Sequence, residues 1–327
     1  MNTDSPALGI DLGGSKIYAV VTDAEQGVLS TAKQPTPPDA DPATLIARML
    51  DTGRQALAAL NLGLDDVGCI GAAFPSPVDA ETEHCTLASN LGGQNFPAKE
   101  LFRELCGREV AIGNDGDLGA LAEFRSGAGH ERENSLIAYF VGTGLGGGII
   151  YRGELMRGKL GMAGELGHMT LRKGGRPCHC GRHGCAEAYC SKWAFVRSIL
   201  KILRKTGGRL PLPEDKFNKN STNIKSKYLL QAYQAGDPVV QSVVHKGFFD
   251  LGLAAASACA FASPDRIVLG GGVVSAFGEL ILPSFRAGFE SNLLGLPPEA
   301  IALSLSTHGD NAVAIGAALL ARSRQRA

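Results

Sequence analysis

The chain runs through one order twice: an apolar run, a glycine-rich turn, and a second apolar run. The first instance is "LGIDLGGSKIYAVVTD" from Leu8, and the second is "NSLIAYFVGTGLGGGIIYRGEL" from Asn134. Further short strands and helical stretches follow each instance, so the chain reads as a duplication of one βββαβα unit. Duplication restricts the fold to two α/β lobes. At 327 residues the chain is long for a single core and suits two lobes of ordinary size, with a cleft expected between them.

Within the first half, "ALGIDLG", "KIYAVVTD" and "GVLSTAKQPTP" read as a β-meander. "DPATLIARMLDTGRQALAALNL" has apolar residues at helical spacing, with Asp41 and Pro42 at its start. "DVGCIGAAFPSPVD" predicts a buried strand running into a loop. "EVAIGND" predicts a strand ending at Asn114 and Asp115, and "GDLGALAEFRSG" a helix closed by Gly127. In the second half, "DPVVQSVVHKGFFDLGLAAASACAFA" predicts a helix, "DRIVLGGGVV" a strand entering a glycine turn, and "DNAVAIGAALLARSRQ" a final helix that packs back on the first lobe. The polar segment 207–226 reads as an exposed excursion with no assigned function.

The 32 basic and 32 acidic residues cancel, leaving no electrostatic footprint for nucleic acid or an anionic membrane surface. No stretch reaches the roughly 18 apolar residues of a membrane span, and the first residues lack the basic-then-apolar order of a secretory signal. A cytoplasmic protein is expected. Glycine, at 43 residues, gathers in tight groups between apolar strands, where backbone approach to a ligand is one use for it. Four of the eight cysteines crowd into residues 178–190, which points to metal and not to a disulfide framework.

The turn at Gly13-Gly14 fits neither a Walker loop nor a dinucleotide fingerprint, because both lead into a helix and this one leads into a strand. Its residues suit a plain hairpin as well as an anion cradle made of backbone N–H groups. A second such turn, with Thr143 and Gly144, supplies what two lobes need to close on one polyphosphate. Cys178, Cys180 and Cys185 with His168 form a Cys₃His set suited to a closed tetrahedral zinc site, for which His179 and His183 compete as ligands. Asn114 and Asp115 stand at a strand end, where Asn-Asp-Gly is a favoured turn and a carboxylate is held by a rigid element. Cys69, Cys85, Cys106, Cys190 and Cys259 read as ordinary thiols of the interior.

In these motifs the chain resembles the sugar kinases of the ROK family, within the actin, Hsp70 and hexokinase-like ATPase fold. "DLGGSK" looks like the family's first phosphate motif, commonly DxGGTK, "GTGLGGG" like the second, and "IVLGGGVV" like the adenosine motif. "GELGHM" followed by "CHCGRHGCAE" resembles the signature ExGH with CxCGxxGCxE. The likeness extends from Leu8 to the closing "GDNAVAIGAAL".

The resemblance implies a two-lobed actin/hexokinase-like fold of ribonuclease H-like βββαβα units with an interlobe cleft. Residues 1–120 would form the N-terminal lobe, completed by helix 308–327, and 121–307 the other. It implies ATP-dependent phosphorylation of a hexose 6-hydroxyl, as by a glucokinase; alternatives are fructose, mannose, N-acetylglucosamine or N-acetylmannosamine. Asp115 would be the general base and also touch the sugar, with Asn114, Glu165, His168 and Glu187 as further sugar ligands. Ser76 and Asn90, from "GAAFPSPVD" and "ASNLGG", would lie beside the sugar; Ser76 stands where the family has glycine, which alters the pocket wall. ATP would contact Gly13, Gly14, Ser15, Lys16, Thr143, Gly144, Gly271 and Gly272, with Asp11 holding Mg²⁺ through water. The family pattern selects His168, Cys178, Cys180 and Cys185 for a structural Zn²⁺ that leaves the second imidazole nitrogen for a sugar hydroxyl. Gly116 and Asp117 depart from the family's NDAN. A homodimer or homotetramer is the expected assembly. The rival within the family is a sugar-responsive repressor, which carries a helix-turn-helix ahead of the first phosphate motif. Only seven residues precede Leu8 here, and no DNA-reading helix can be placed.

Overall fold

The structure is a computed structural model and describes residues 5–38, 40–86, 96–129, 133–213, 216, 224–295 and 297–326. It divides into two compact units. The first comprises Met1–Arg132, Gly148–Gly164 and Asp310–Ala327, and the second Glu133–Gly147 and Glu165–Gly309. Strands β1 (Ala7–Leu12), β2 (Lys16–Thr22), β3 (Val28–Pro35), β4 (Cys69–Phe74) and β5 (Val110–Asn114) form one sheet in the order β3-β2-β1-β4-β5. Strands β6 (Leu136–Val141), β7 (Leu145–Tyr151), β8 (Glu154–Leu155), β9 (Arg266–Gly270) and β10 (Ala302–Leu305) form another, ordered β10-β9-β6-β7-β8. Read from the other edge, the second order repeats the first strand for strand. The duplication seen in the sequence is therefore a duplication of topology.

The helices are α1 (Pro42–Ala58), α2 (Ala98–Cys106), α3 (Asp115–Ser126), α4 (Glu187–Cys190), α5 (Lys192–Thr206), α6 (Ser226–Gln234), α7 (Pro238–Ala262), α8 (Gly272–Phe277), α9 (Leu282–Ser291) and α10 (Ala312–Arg326). Local chemistry sets their starts. Asp41 caps α1 by accepting from the Thr44 N–H at 3.0 Å, and Asp237 caps α7 by accepting from Val239 and Val240, each ahead of a proline that has no N–H to lose. None of the helices described is long and apolar enough to cross a membrane.

Alternation along β1 decides what each face of the first sheet meets. Leu8, Ile10 and Leu12 are buried in one core with Leu45, Ile46 and Met49 of α1. Gly9 faces α10 so closely that a Cβ there would fall 1.8 Å from the Ala314 carbonyl oxygen, and one at Gly71 on β4 would fall 1.9 Å from that of Ala317. Asp11 shares the Gly9 face. Gly71→Ala should push α10 off the sheet and cost about 1–3 kcal/mol or more, read as a melting temperature lowered by several degrees. An unchanged melting temperature would refute the close docking.

The compact units divide the chain elsewhere than at 120/121, which falls inside α3. That helix stays whole with the first unit because α10 rests on it, a Cβ at Gly316 meeting the Leu118 carbonyl oxygen at 1.8 Å. Residues 148–164 join it as well, since a Cβ at Gly148 would lie 2.8 Å from the Gly116 carbonyl oxygen. Of the excursion 207–226, residues 214–215 and 217–223 lie outside the described residues. Its flanks are not exposed throughout: Leu210 and Ile224 are buried.

Candidate active site

In the first unit, the turn after β1 is a true hairpin: Leu12 pairs with Ile17, and the Gly13 N–H donates to the Lys16 carbonyl. Thr36 pins it by donating its hydroxyl to the Gly13 carbonyl at 2.7 Å. A Cβ at Gly14 would meet nothing within 4 Å, so bare backbone there faces open space. Gly14 and Ser15 are exposed. The turn is a closed hairpin whose tip leaves the Gly14 backbone open.

The charge of Asp115 acts on Asp11. Burial first, then repulsion from Asp115, pushes the Asp11 carboxyl up to about 7, with Asp310 adding to the rise and Lys16 opposing it. Burial likewise raises Asp115 to about 6 against the hydrogen bond from the Gly116 N–H, which its Oδ1 accepts at 2.7 Å. Asp115 is the first residue of α3, where the helix dipole favours its anion, and desolvation outweighs that help. Asp310 was missed in the sequence. It pairs with Lys16, Nζ to Oδ2 2.5 Å, and the signal available was an acidic residue opening the last helix, in "GDNA". Lys16 is therefore held by a partner while part-exposed.

Asn114 caps α3 by accepting from the Asp117 N–H at 3.0 Å, and its amide donates to the Ser76 carbonyl at 3.2 Å. Ser76 is buried, with its hydroxyl donating to the Pro77 carbonyl. Both residues brace the strand end that carries Asp115. Asn90 lies outside the described residues.

In the second unit, Gly142-Thr143-Gly144 turns β6 into β7, with the Gly142 N–H donating to the Gly144 carbonyl. Thr143 is exposed. Gly271, between β9 and α8, has φ +87° and a Cβ there would come within 2.7 Å of the Val141 backbone, whereas one at Gly272 would meet nothing within 4 Å. Only glycine fits the first position, and the second leaves backbone open.

His168, Cys178, Cys180 and Cys185 converge, their ligand atoms all lying within 4.8 Å of one another. Cys178 Sγ is 3.7 Å from His168 Nδ1, and Cys180 Sγ is 3.7 Å from Cys185 Sγ. A tetrahedron with arms of about 2.3 Å has edges of about 3.8 Å, so the set fits zinc. His179 stacks on Trp193 instead, at 4.3 Å between ring centres, and His183 is exposed. His168 turns Nδ1 to the cluster and Nε2 to Glu165 Oε2, 3.9 Å away. Gly184, at φ +85° with no room for a Cβ, closes the knuckle, and Arg172 ties the chain before it to the buried Asp250 on α7. Glu187 opens α4 two residues past Cys185, with Oε2 accepting from the Leu145 N–H at 3.1 Å and Oε1 3.4 Å from Cys178 Sγ. Of the other cysteines, Cys69, Cys85, Cys190 and Cys259 are buried and Cys106 is half-buried.

A family profile described as the ROK family matches residues 7–324. The chain is 30% identical over 320 residues to the glucokinase of Halalkalibacterium halodurans, covering 97% of this chain and 95% of that protein. It superposes with TM-score 0.83 and 31% identity on a ROK family glucokinase from Streptomyces griseus solved with glucose and AMPPNP, over 97% of this chain and 99% of the other. A xylose repressor of Caldicellulosiruptor bescii is 28% identical over 94% of this chain and 76% of its own length. The two sheets and their helices are those of the actin-like ATPase fold of these kinases.

Proposed function

The chain belongs to the ROK family, and we propose that it is an ATP-dependent sugar kinase that phosphorylates the 6-hydroxyl of glucose. The observation that carries this reading is Asp115: a carboxyl at a braced strand end, raised to about 6, where it is ionised at neutral pH and still basic enough to accept a hydroxyl proton. The glucokinase relative and the structural neighbour that holds glucose and AMPPNP support the sugar and the donor.

In this reading Asp115 orients the 6-hydroxyl and takes its proton as the γ-phosphoryl group arrives. Glu165 and the Nε2 edge of His168 hold other hydroxyls, and Glu187 adds an acceptor, as recognition of an uncharged polyol needs several fixed hydrogen bonds. The N–H groups of Gly14 and Ser15 and of Thr143 and Gly144 take the phosphates, those of Gly13 and Gly142 being used to close their own turns, and Gly271 and Gly272 take the adenosine. Asp11 would hold Mg²⁺, which would supply charge neutralisation on the phosphates. His168, Cys178, Cys180 and Cys185 would hold zinc, which would supply rigidity to the sugar loop. A sugar-responsive regulator would need the sugar groups but no general base, and Asp115 favours the kinase.

Purified protein with ATP and Mg²⁺, assayed against glucose, mannose, fructose and the two N-acetylhexosamines, should release ADP in a hexose-dependent way, with the highest kcat/KM for glucose. Absence of hexose-dependent ADP across the panel would end the kinase reading, and a higher kcat/KM for another sugar would reassign the substrate.

A further inference from the structure

The metal knuckle and the second glycine turn lie far apart in sequence, yet three contacts join them. Glu187 Oε2 accepts from the Leu145 N–H at 3.1 Å. Beyond α4, the Lys192 N–H donates to the Gly142 carbonyl and the Trp193 N–H to the Thr143 carbonyl, at 3.1 and 3.3 Å. Trp193 in turn stacks on His179, which sits between two of the cysteines. Every residue of the turn from Gly142 to Leu145 except Gly144 is thus hydrogen-bonded to the chain that leaves the knuckle. Gly144 itself is packed against the Glu187 carboxylate, where a Cβ would lie 2.6 Å from Oε2.

We propose that Glu187 is a positioning residue for the phosphate turn, through which the metal knuckle fixes nucleotide binding as well as the sugar loop. The inference rests on the reading of Gly142–Gly144 as a phosphate turn. Its physical basis is the geometry of the strap. Cys185 is a ligand of the tetrahedral set, and only Ala186 separates it from Glu187, while the Ala186 N–H donates to the Met169 carbonyl next to His168. Four-point closure of the knuckle therefore fixes the carboxylate that holds the Leu145 N–H. With Leu145 held, the backbone N–H groups of the turn keep the directions an anion needs. Loss of the metal withdraws folding energy from the knuckle and frees Glu187, so the turn loses its orientation without losing a residue.

Glu187→Ala and Glu187→Gln test this by titration calorimetry with ATP and Mg²⁺, no sugar present. Glu187→Ala should bind ATP about 10-fold more weakly, as one charge-assisted hydrogen bond is lost, while still holding about one zinc per chain. Glu187→Gln keeps an acceptor for Leu145 and should bind within about threefold of the parent. ATP affinity unchanged in folded Glu187→Ala overturns the inference, and a loss confined to sugar affinity does so too. Parent protein that binds no ATP overturns the kinase reading instead, and this inference with it. Should the alanine variant fail to fold, hydrogen exchange on the parent decides. Chelation that leaves β6 exchange unchanged should speed exchange of the 142–145 amides, and equal rates with and without zinc would overturn the strap. Trp193, the chain's one tryptophan, reports the same event, its emission changing on chelation.

Discussion

Asp115→Asn should lower kcat by about 10²–10⁴-fold, the usual contribution of a positioned general base, while sugar and ATP affinities stay near those of the parent. The amide keeps the shape and still offers an oxygen to the Gly116 N–H, but it cannot accept the 6-hydroxyl proton. The parent's kcat should fall as pH drops through about 6, where Asp115 takes up its proton. Stability runs the opposite way. Because Asp11 and Asp115 are raised in the folded protein, to about 7 and about 6, the folded state binds more protons than the unfolded chain between about pH 4 and 7, and stability declines as pH rises through that window. Removing the Asp115 charge removes part of that penalty, so Asp115→Asn should melt no lower than the parent at pH 8. Near-normal kcat in the variant would end the assignment of the base. A large fall in melting temperature would show instead that the carboxylate stabilises the fold.

Cys180→Ala should abolish stoichiometric zinc binding and raise the sugar KM while lowering kcat, on the order of 10²-fold in kcat/KM. Cys180 is exposed, so its truncation leaves no core cavity, and the damage passes through the metal. Three remaining ligands no longer close the tetrahedron, the knuckle loses folding energy, and His168 and Glu165 lose their fixed geometry together. A displacement of about 1 Å is enough for a loss of that size. ATP affinity should weaken too, by less, through Glu187 and the Leu145 N–H. A folded, zinc-free Cys180→Ala protein that binds its sugar as tightly as the parent would separate the metal from substrate recognition.

The sequence carried the parts of this protein that depend on near neighbours. Strand, glycine turn and strand are written in Leu8 to Thr22 and again from Leu136, the caps of α1 and α7 in Asp41 and Asp237, and the Cys₃His set in its own spacing, because turns, caps and knuckles are made of residues a few positions apart. Tertiary structure alone decided the rest. Asp310 meets Lys16 and raises Asp11 only because α10 docks where Gly9 and Gly71 leave room for it, an approach between opposite ends of the chain. Glu187 stood in the sequence as a sugar ligand implied by the family motif, and its hold on Leu145 became legible only when β7 and α4 were brought side by side. The raised carboxyls of Asp11 and Asp115 belong to the same class. Desolvation and repulsion depend on what surrounds a group in space, and a carboxylate in a sequence has no surroundings until the chain has folded.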